Sequence, residues 1–238
     1  MTTVVSIFST PGSFNDTAPA GATSVQSECI GGGGSTPNDD GSVTGPAGGG
    51  GAYSLTTSTA VTGGQTVSYV VASGGTVPGS GNVGNTGGDS SVTISGSVVC
   101  LAKGGTGPNG ATQGSGGAAG SGTGNTKFSG GNGSATNGAG GGSSAGSSGA
   151  GANGVSHTGG AAPTDGGAGG NGQASNSGTN FPGSNPGGGA GGTKAGQGGT
   201  GAVGGNGWVR LTYTVVASGG VFPFYEDQMC GGFNDLDM

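Results

Sequence analysis

Charge is the first thing this chain lacks. Asp, Glu, Lys and Arg together make up 6% of its 238 residues, and the only cations besides one histidine are Lys103, Lys127, Lys194 and Arg210. Phosphate recognition needs clustered Lys and Arg, so a net charge of −6 with four scattered cations excludes nucleic acid as an expected partner. Aromatic residues are 5% and hydrophobic residues 29%, against an apolar share of about 45–50% in ordinary domains. A conventional core running through the whole chain is therefore excluded. No run of about 18 apolar residues is present, so no transmembrane helix is expected. The opening MTTVVSIFSTPGSF has neither a basic segment nor a long apolar one, so it does not read as a secretory leader, and synthesis in a cytosol is expected. Three cysteines, Cys29, Cys100 and Cys230, do not make a disulfide framework.

What the chain has in excess is glycine, 68 residues. They are not evenly spread. Val4, Val5, Ile7 and Phe8 read as strand, and Pro11-Gly12 as a turn. In ATSVQSECI, Val25, Ser27 and Cys29 alternate with Gln26 and Glu28, the period of a half-buried strand. The stretch AYSLTTSTAVTGGQTVSYVVASGG predicts two strands joined at Gly63-Gly64, SVTISGSVVCLAKGG another pair, and WVRLTYTVV a strand that returns to the N-terminal ones. Between the last two groups, residues 104–207 are roughly two fifths glycine, the rest mostly Ser, Ala, Asn and Thr. Helix is excluded there because each interior Gly costs about 1 kcal/mol relative to Ala. Long strands are disfavoured because Gly offers no side chain to pack.

The glycines recur in threes: Gly104/Gly107/Gly110, Gly166/Gly169/Gly172 and Gly198/Gly201/Gly204/Gly207. Three residues per turn is the polyproline-II period, so one edge of each such helix would be bare glycine and could approach a neighbour closely. The register breaks too often, and Pro is too rare at 10 residues, for collagen. Asn109-Gly110, Asn132-Gly133, Asn137-Gly138, Asn153-Gly154 and Asn171-Gly172 are expected to reverse the chain between rods. The expected fold is mostly β and irregular: a small antiparallel β-sandwich core (3–103 and 208–216), an inserted bundle of polyglycine/polyproline-II helices (104–207), and essentially no α-helix. Residues 1–216 form one glycine-rich domain. Residues 217–238, with Phe222, Phe224, Tyr225 and Phe233 beside acidic residues, are expected to be an assembly-docking tail.

Catalytic signatures are weak. Gly105-Thr106-Gly107-Pro108-Asn109-Gly110 matches G-x-G-x-x-G without a strand–helix context, and glycine density alone produces such matches. Asn38-Asp39-Asp40-Gly41 lacks the later Glu of a calcium loop. His157 is the only histidine; with Asp165 it could enter a Ser/His/Asp set, but no nucleophile elbow accompanies it. No catalytic, cofactor or metal residue is assigned, and the chain is expected not to be an enzyme.

The ordered blocks carry a resemblance. Val25 to Gly34 ending in IGGGG, GGGGAYS (Gly48 to Ser54), GQTVSYVVASGG (Gly64 to Gly75), the glycine tract, and GGNGWVRLTYT (Gly204 to Thr214) resemble the glycine-rich domain of phage tail-fibre and minor tail proteins over residues 8–215. The triplet region is similar to the polyglycine-II sandwich of certain phage tail-fibre adhesins, whose loops at one end bind the bacterial surface. The resemblance implies a surface-exposed structural protein of the virion, a tail-fibre or tail-tip module, made in the host cytoplasm. Other virion proteins and a bacterial surface glycan or outer-membrane protein would be its partners, and it would be a homo-oligomer such as a trimer. A capsid decoration or head-fibre protein is the alternative, and ice binding by a flat polar array a more distant one. Loops carrying Phe128, His157 and Phe181 are the expected contact surface.

Overall fold

The computed structural model describes residues 1–39, 45–79, 81–174, 181–194, 196 and 199–216. The tail at 217–238, with Phe222, Phe224, Tyr225, Phe233 and Cys230, lies outside the described residues. Nine strands are present among those described: β1 (Thr2–Phe8), β2 (Gly12–Thr17), β3 (Ala22–Ile30), β4 (Tyr53–Ala60), β5 (Thr66–Val71), β6 (Ser90–Ile94), β7 (Ser97–Ala102), β8 (Thr126–Phe128) and β9 (Trp208–Val215). They form two antiparallel sheets, in the orders β1-β9-β3-β4-β8 and β2-β5-β6-β7. The only helical element described is the 3₁₀ turn Ala119–Ser121.

Alternation decides which side chains meet between the sheets. Val25 and Cys29 on β3, with Val209, Leu211 and Tyr213 on β9, point inward against Val67, Val71, Val92, Ile94 and Cys100. Cys29 and Cys100 are both fully buried free thiols in this one core, the role of small apolar residues. Burial first, and then the neighbouring Cys100, push the Cys29 thiol well up, so it stays protonated. The return of β9 to the N-terminal strands, between β1 and β3, is as the sequence predicts. So is the β6–β7 hairpin, turned by Ser95 and Gly96 at φ +50° and +77°.

The join at Gly63-Gly64 is a correction. It does not make a hairpin: β4 and β5 belong to different sheets. The chain arches between the layers, with Val61 buried and Gly64 at φ +83° bonded to the Ala18 carbonyl (2.8 Å).

The glycine runs form rods whose hydrogen bonding states their period. In 31–36, Gly31 and Gly34 donate to Ala52 and Gly49; Gly32 and Ser35 to Gly88 and Asn85; Gly33 and Thr36 to Gly205 and Ala202. Residues three apart thus face the same neighbour, and each partner number falls by three as the donor number rises by three. This is a threefold helix antiparallel to three others, the polyproline-II geometry. The same rod accepts from Gly105, Gly75 and Ala190, so it is surrounded by six segments. Rods 45–52, 139–146 and 187–193 are enclosed in the same way, and residues 31–36, 47–52, 138–146 and 187–193 are all buried. The two rods 45–52 and 139–146 run parallel, since Ala139, Gly142 and Ala145 donate to Gly45, Gly48 and Gly51.

The glycine requirement is steric. A Cβ on Gly33 would stand 2.0 Å from the Gly188 carbonyl oxygen, where ordinary contact begins at 3.4 Å. The triplet Gly201, Gly204 and Gly207 is the edge facing rod 31–36, each meeting the backbone of Thr36, Gly33 and Ile30 in turn.

The lattice is not confined to 104–207, which corrects the expected partition. Rods 31–36, 45–52, 72–76 and 84–88 come from the N-terminal part, because short runs such as 31–36 give two turns of rod when strands hold their ends. Conversely, β8 lies inside the glycine tract yet pairs with β4. Strand and rod are continuous: β3 runs into 31–36, 45–52 into β4, β5 into 72–76, 84–88 into β6, β7 into 103–107, β8 into 129–133 and 199–207 into β9. The sandwich therefore sits at one end of the rods.

Candidate functional site

Because the rods grow out of strands, their other ends are where the chain must turn back. Among the described residues those turns are at 108–113, 134–138 and 155–158, and the stretches 37–39, 77–79 and 81–83 lie at the same end. Their convergence is visible in one small cleft lined by Pro37, Asn38, Asn82, Pro108 and Thr193, from four separate segments. Asn109-Gly110 and Asn137-Gly138 are turns, with Gly110 and Gly138 at φ +61° and +70°.

The other three Asn-Gly pairs are a correction: they lie within rods. Asn153 Oδ1 accepts the N–H of Asn132, Asn132 Oδ1 that of Gly116, and Asn171 Oδ1 that of Gly159 (2.8, 2.9 and 2.9 Å). On the outer layer no further rod among the described residues supplies a carbonyl, and the side-chain amide takes its place. Hydroxyls do the same inside: Thr36, Ser143 and Ser144 accept from Ala202, Ala152 and Gly167.

Two of the three sequence-predicted contact residues meet at this turn end. His157 sits in the tight Val155–Thr158 turn, where its Nδ1 donates to the Gly138 carbonyl (2.5 Å). Its own carbonyl accepts from Gly172, and the neighbouring Asn171 carbonyl accepts from the N–H of Phe181, whose residue is 51% exposed. Rod 166–173 thus ends between His157 and Phe181. Phe128 is not with them. It lies on β8 at the sandwich end, half-buried, its ring 6.2 Å from that of Tyr53. Sequence reasoning passed over Val155 and Val83, which are 71% and 53% exposed at the turn end. The signal available was an apolar residue inside a Gly/Asn turn, in NGVSH and GNVGN.

A charged cluster occupies the opposite end. The Glu28 side chain, 4% exposed, accepts from Arg210 Nε and Nη2 (2.6 and 2.8 Å) and from the Tyr53 hydroxyl (2.6 Å). Burial pushes its carboxyl up, but the hydrogen bonds from Arg210 and Tyr53 outweigh it and hold it below the ordinary value. Arg210 also meets Asp165 (3.3 Å) and stacks over Trp208 (5.0 Å), whose Nε1 donates to the Asp165 carbonyl. Asp165 belongs to a lattice turn, so this cluster fastens the rods to the outer face of the first sheet, where Ile30, Tyr53, Ala145 and Trp208 pack together. Rod 166–173 begins after Asp165 and ends beside His157, a separation of roughly 20 Å at about 3.1 Å per residue. The two do not form a catalytic pair.

A model of the glycine-rich domain matches residues 9–214. The chain belongs to the glycine-rich domain family. The matched span takes in every rod and, apart from β1 and the last residue of β9, every strand, so the glycine-rich domain is sandwich and lattice together. Comparison with curated proteins finds no match.

Proposed function

We propose that this glycine-rich domain is a non-enzymatic structural protein of a bacteriophage particle, a tail-fibre or tail-tip module that presents its turn end to the bacterial surface. The carrying observation is the division of labour along the rods. Their interior is held largely by backbone hydrogen bonds, while Val155, Phe181 and Val83 are exposed at the end away from the sandwich, beside the half-buried His157. Exposed apolar turn residues on which the rods do not depend are free to suit a partner. The phage context rests on the order of sequence blocks between Val25 and Thr214; the family supports the glycine-rich domain itself.

The test has two arms. Gold-labelled antibody to this chain should mark the tail of the particle. Purified chain carrying Val83→Ser, Val155→Ser and Phe181→Ser should lose binding to host cells with an unchanged thermal melt. Label on the head alone would refute the tail placement, and wild-type binding by the triple variant would refute the turn end as the contact surface.

A further inference from the structure

The sandwich has four sheet edges, and three are guarded. Strand β8 is three residues long and carries Lys127. Strand β7 is covered at Leu101 by a bridge to Thr123, with Ser54 and Thr56 hydroxyls donating to its Leu101 and Val99 carbonyls. Strand β2 contains Asp16. Strand β1 has none of these devices: seven residues, no charge, no proline, and uninterrupted register on β9 from Thr2↔Val215 to Phe8↔Val209. One row of its backbone groups has no partner strand among the described residues. On its outer face Val5 and Ile7 are 54% and 65% exposed, and beyond Ile7 lies an open cleft of about 250 Å³ lined by Pro186 and Trp208 together with Asn185 and the paired Asp165 and Arg210. Strand β1 is also the strand outside the family match. Natural sheets blunt such edges or use them.

We propose that β1 is a self-association edge, pairing antiparallel with β1 of a second copy about a twofold axis through Val5. The two five-stranded sheets become one of ten. In this register Val5 faces its own counterpart, Thr3 faces the partner's Ile7, Val4 the partner's Ser6, and Thr2 the partner's Phe8. Residues directly opposite share a face, so Thr3, Val5 and Ile7 join their equivalents in one apolar strip. A second copy fits better than a foreign strand because TTVVSIF complements itself across such an axis and brings no charge to it, although the chain carries −6 overall. The nearest charged side chain, Arg210 opposite Ile7, is already paired to Glu28 and Asp165. This inference is independent of what the turn end binds.

The experiment uses the full chain and sedimentation velocity over a range of concentrations. A concentration-dependent dimer is expected, and Val5→Lys, which places two ammonium groups across the axis, should weaken it at least tenfold. Register is read by cross-linking in a Cys230→Ser background. Val5→Cys should form a self-disulfide under mild oxidation, since opposite Cα atoms on paired strands fall within bridging range. Ile7→Cys alone should not. A monomer at all concentrations, a trimer, a dimer unaffected by Val5→Lys, or a dimer in which Val5→Cys fails to cross-link would each overturn the proposal. So would capture of β1 by a foreign strand in place of its own copy.

Discussion

At the scale of single residues, glycine here is a spacing requirement. A hydrogen in place of a side chain lets two backbones lie close enough to bond, and Gly169 meets Gly141 in the way that Gly201 meets Thr36. Gly169→Val and Gly201→Val should each destabilise by several kcal/mol, since separated rods leave buried N–H groups without partners at about 1–3 kcal/mol apiece. Ser147 and Thr200 are exposed, and Val there should change the melting temperature little. Equal tolerance at both kinds of position in thermal melts would contradict the lattice. Glu28 is the other residue on which much depends. Its folded-state carboxyl is depressed, so its contribution is present above the unfolded value of about 4.3 and is lost as pH falls through the folded one. Glu28→Gln should cost on the order of 3 kcal/mol at neutral pH by leaving Arg210 without its main partner. It should also flatten the acid limb of the stability–pH curve, where protonation of Glu28 removes its contribution. An unchanged acid limb would assign that transition to other carboxylates.

At the scale of elements, strands and rods differed in how openly the chain announced them. The strands were legible because Val, Ile, Thr and Tyr alternate, and β3, β6, β7 and β9 fall where that pattern places them. The rods of the glycine tract were legible from the triplets. Pairing was less so: the arch at Gly63-Gly64 reads like a hairpin turn, and nothing local records that Val61 turns into the core. Gly31–Gly34 and Gly48–Gly51 were not recognisable as rods because runs of four residues are too short to suggest a helix. What makes them rods is six neighbours from distant parts of the chain. The same non-locality hid the role of Asn132, Asn153 and Asn171, whose Asn-Gly pairs look like turns. Of the residues expected to make contacts, His157 and Phe181 were recognisable as loop residues. Phe128 was misplaced because the three strand residues of β8 are too few to show a period.

At the scale of the whole molecule, sandwich and lattice count residues differently. A strand repeats every two residues and a rod every three, and the chain changes from one to the other at Ile30–Gly31. Rod 199–207 makes the difference measurable. One glycine inserted between Gly204 and Gly205 would carry Ala202 into the place of Gly201, with its methyl group against the Thr36 carbonyl. Three inserted glycines would bring Gly204 to that place and restore the fit. The single insertion should lower the melting temperature sharply and the triple one far less, and the reverse order would contradict a threefold rod. Length can therefore change inside the lattice only in whole turns, while a turn at its far end can grow by any number. Insertions and deletions that such a chain can tolerate are sorted by this arithmetic, so that freedom of length is confined to the turns.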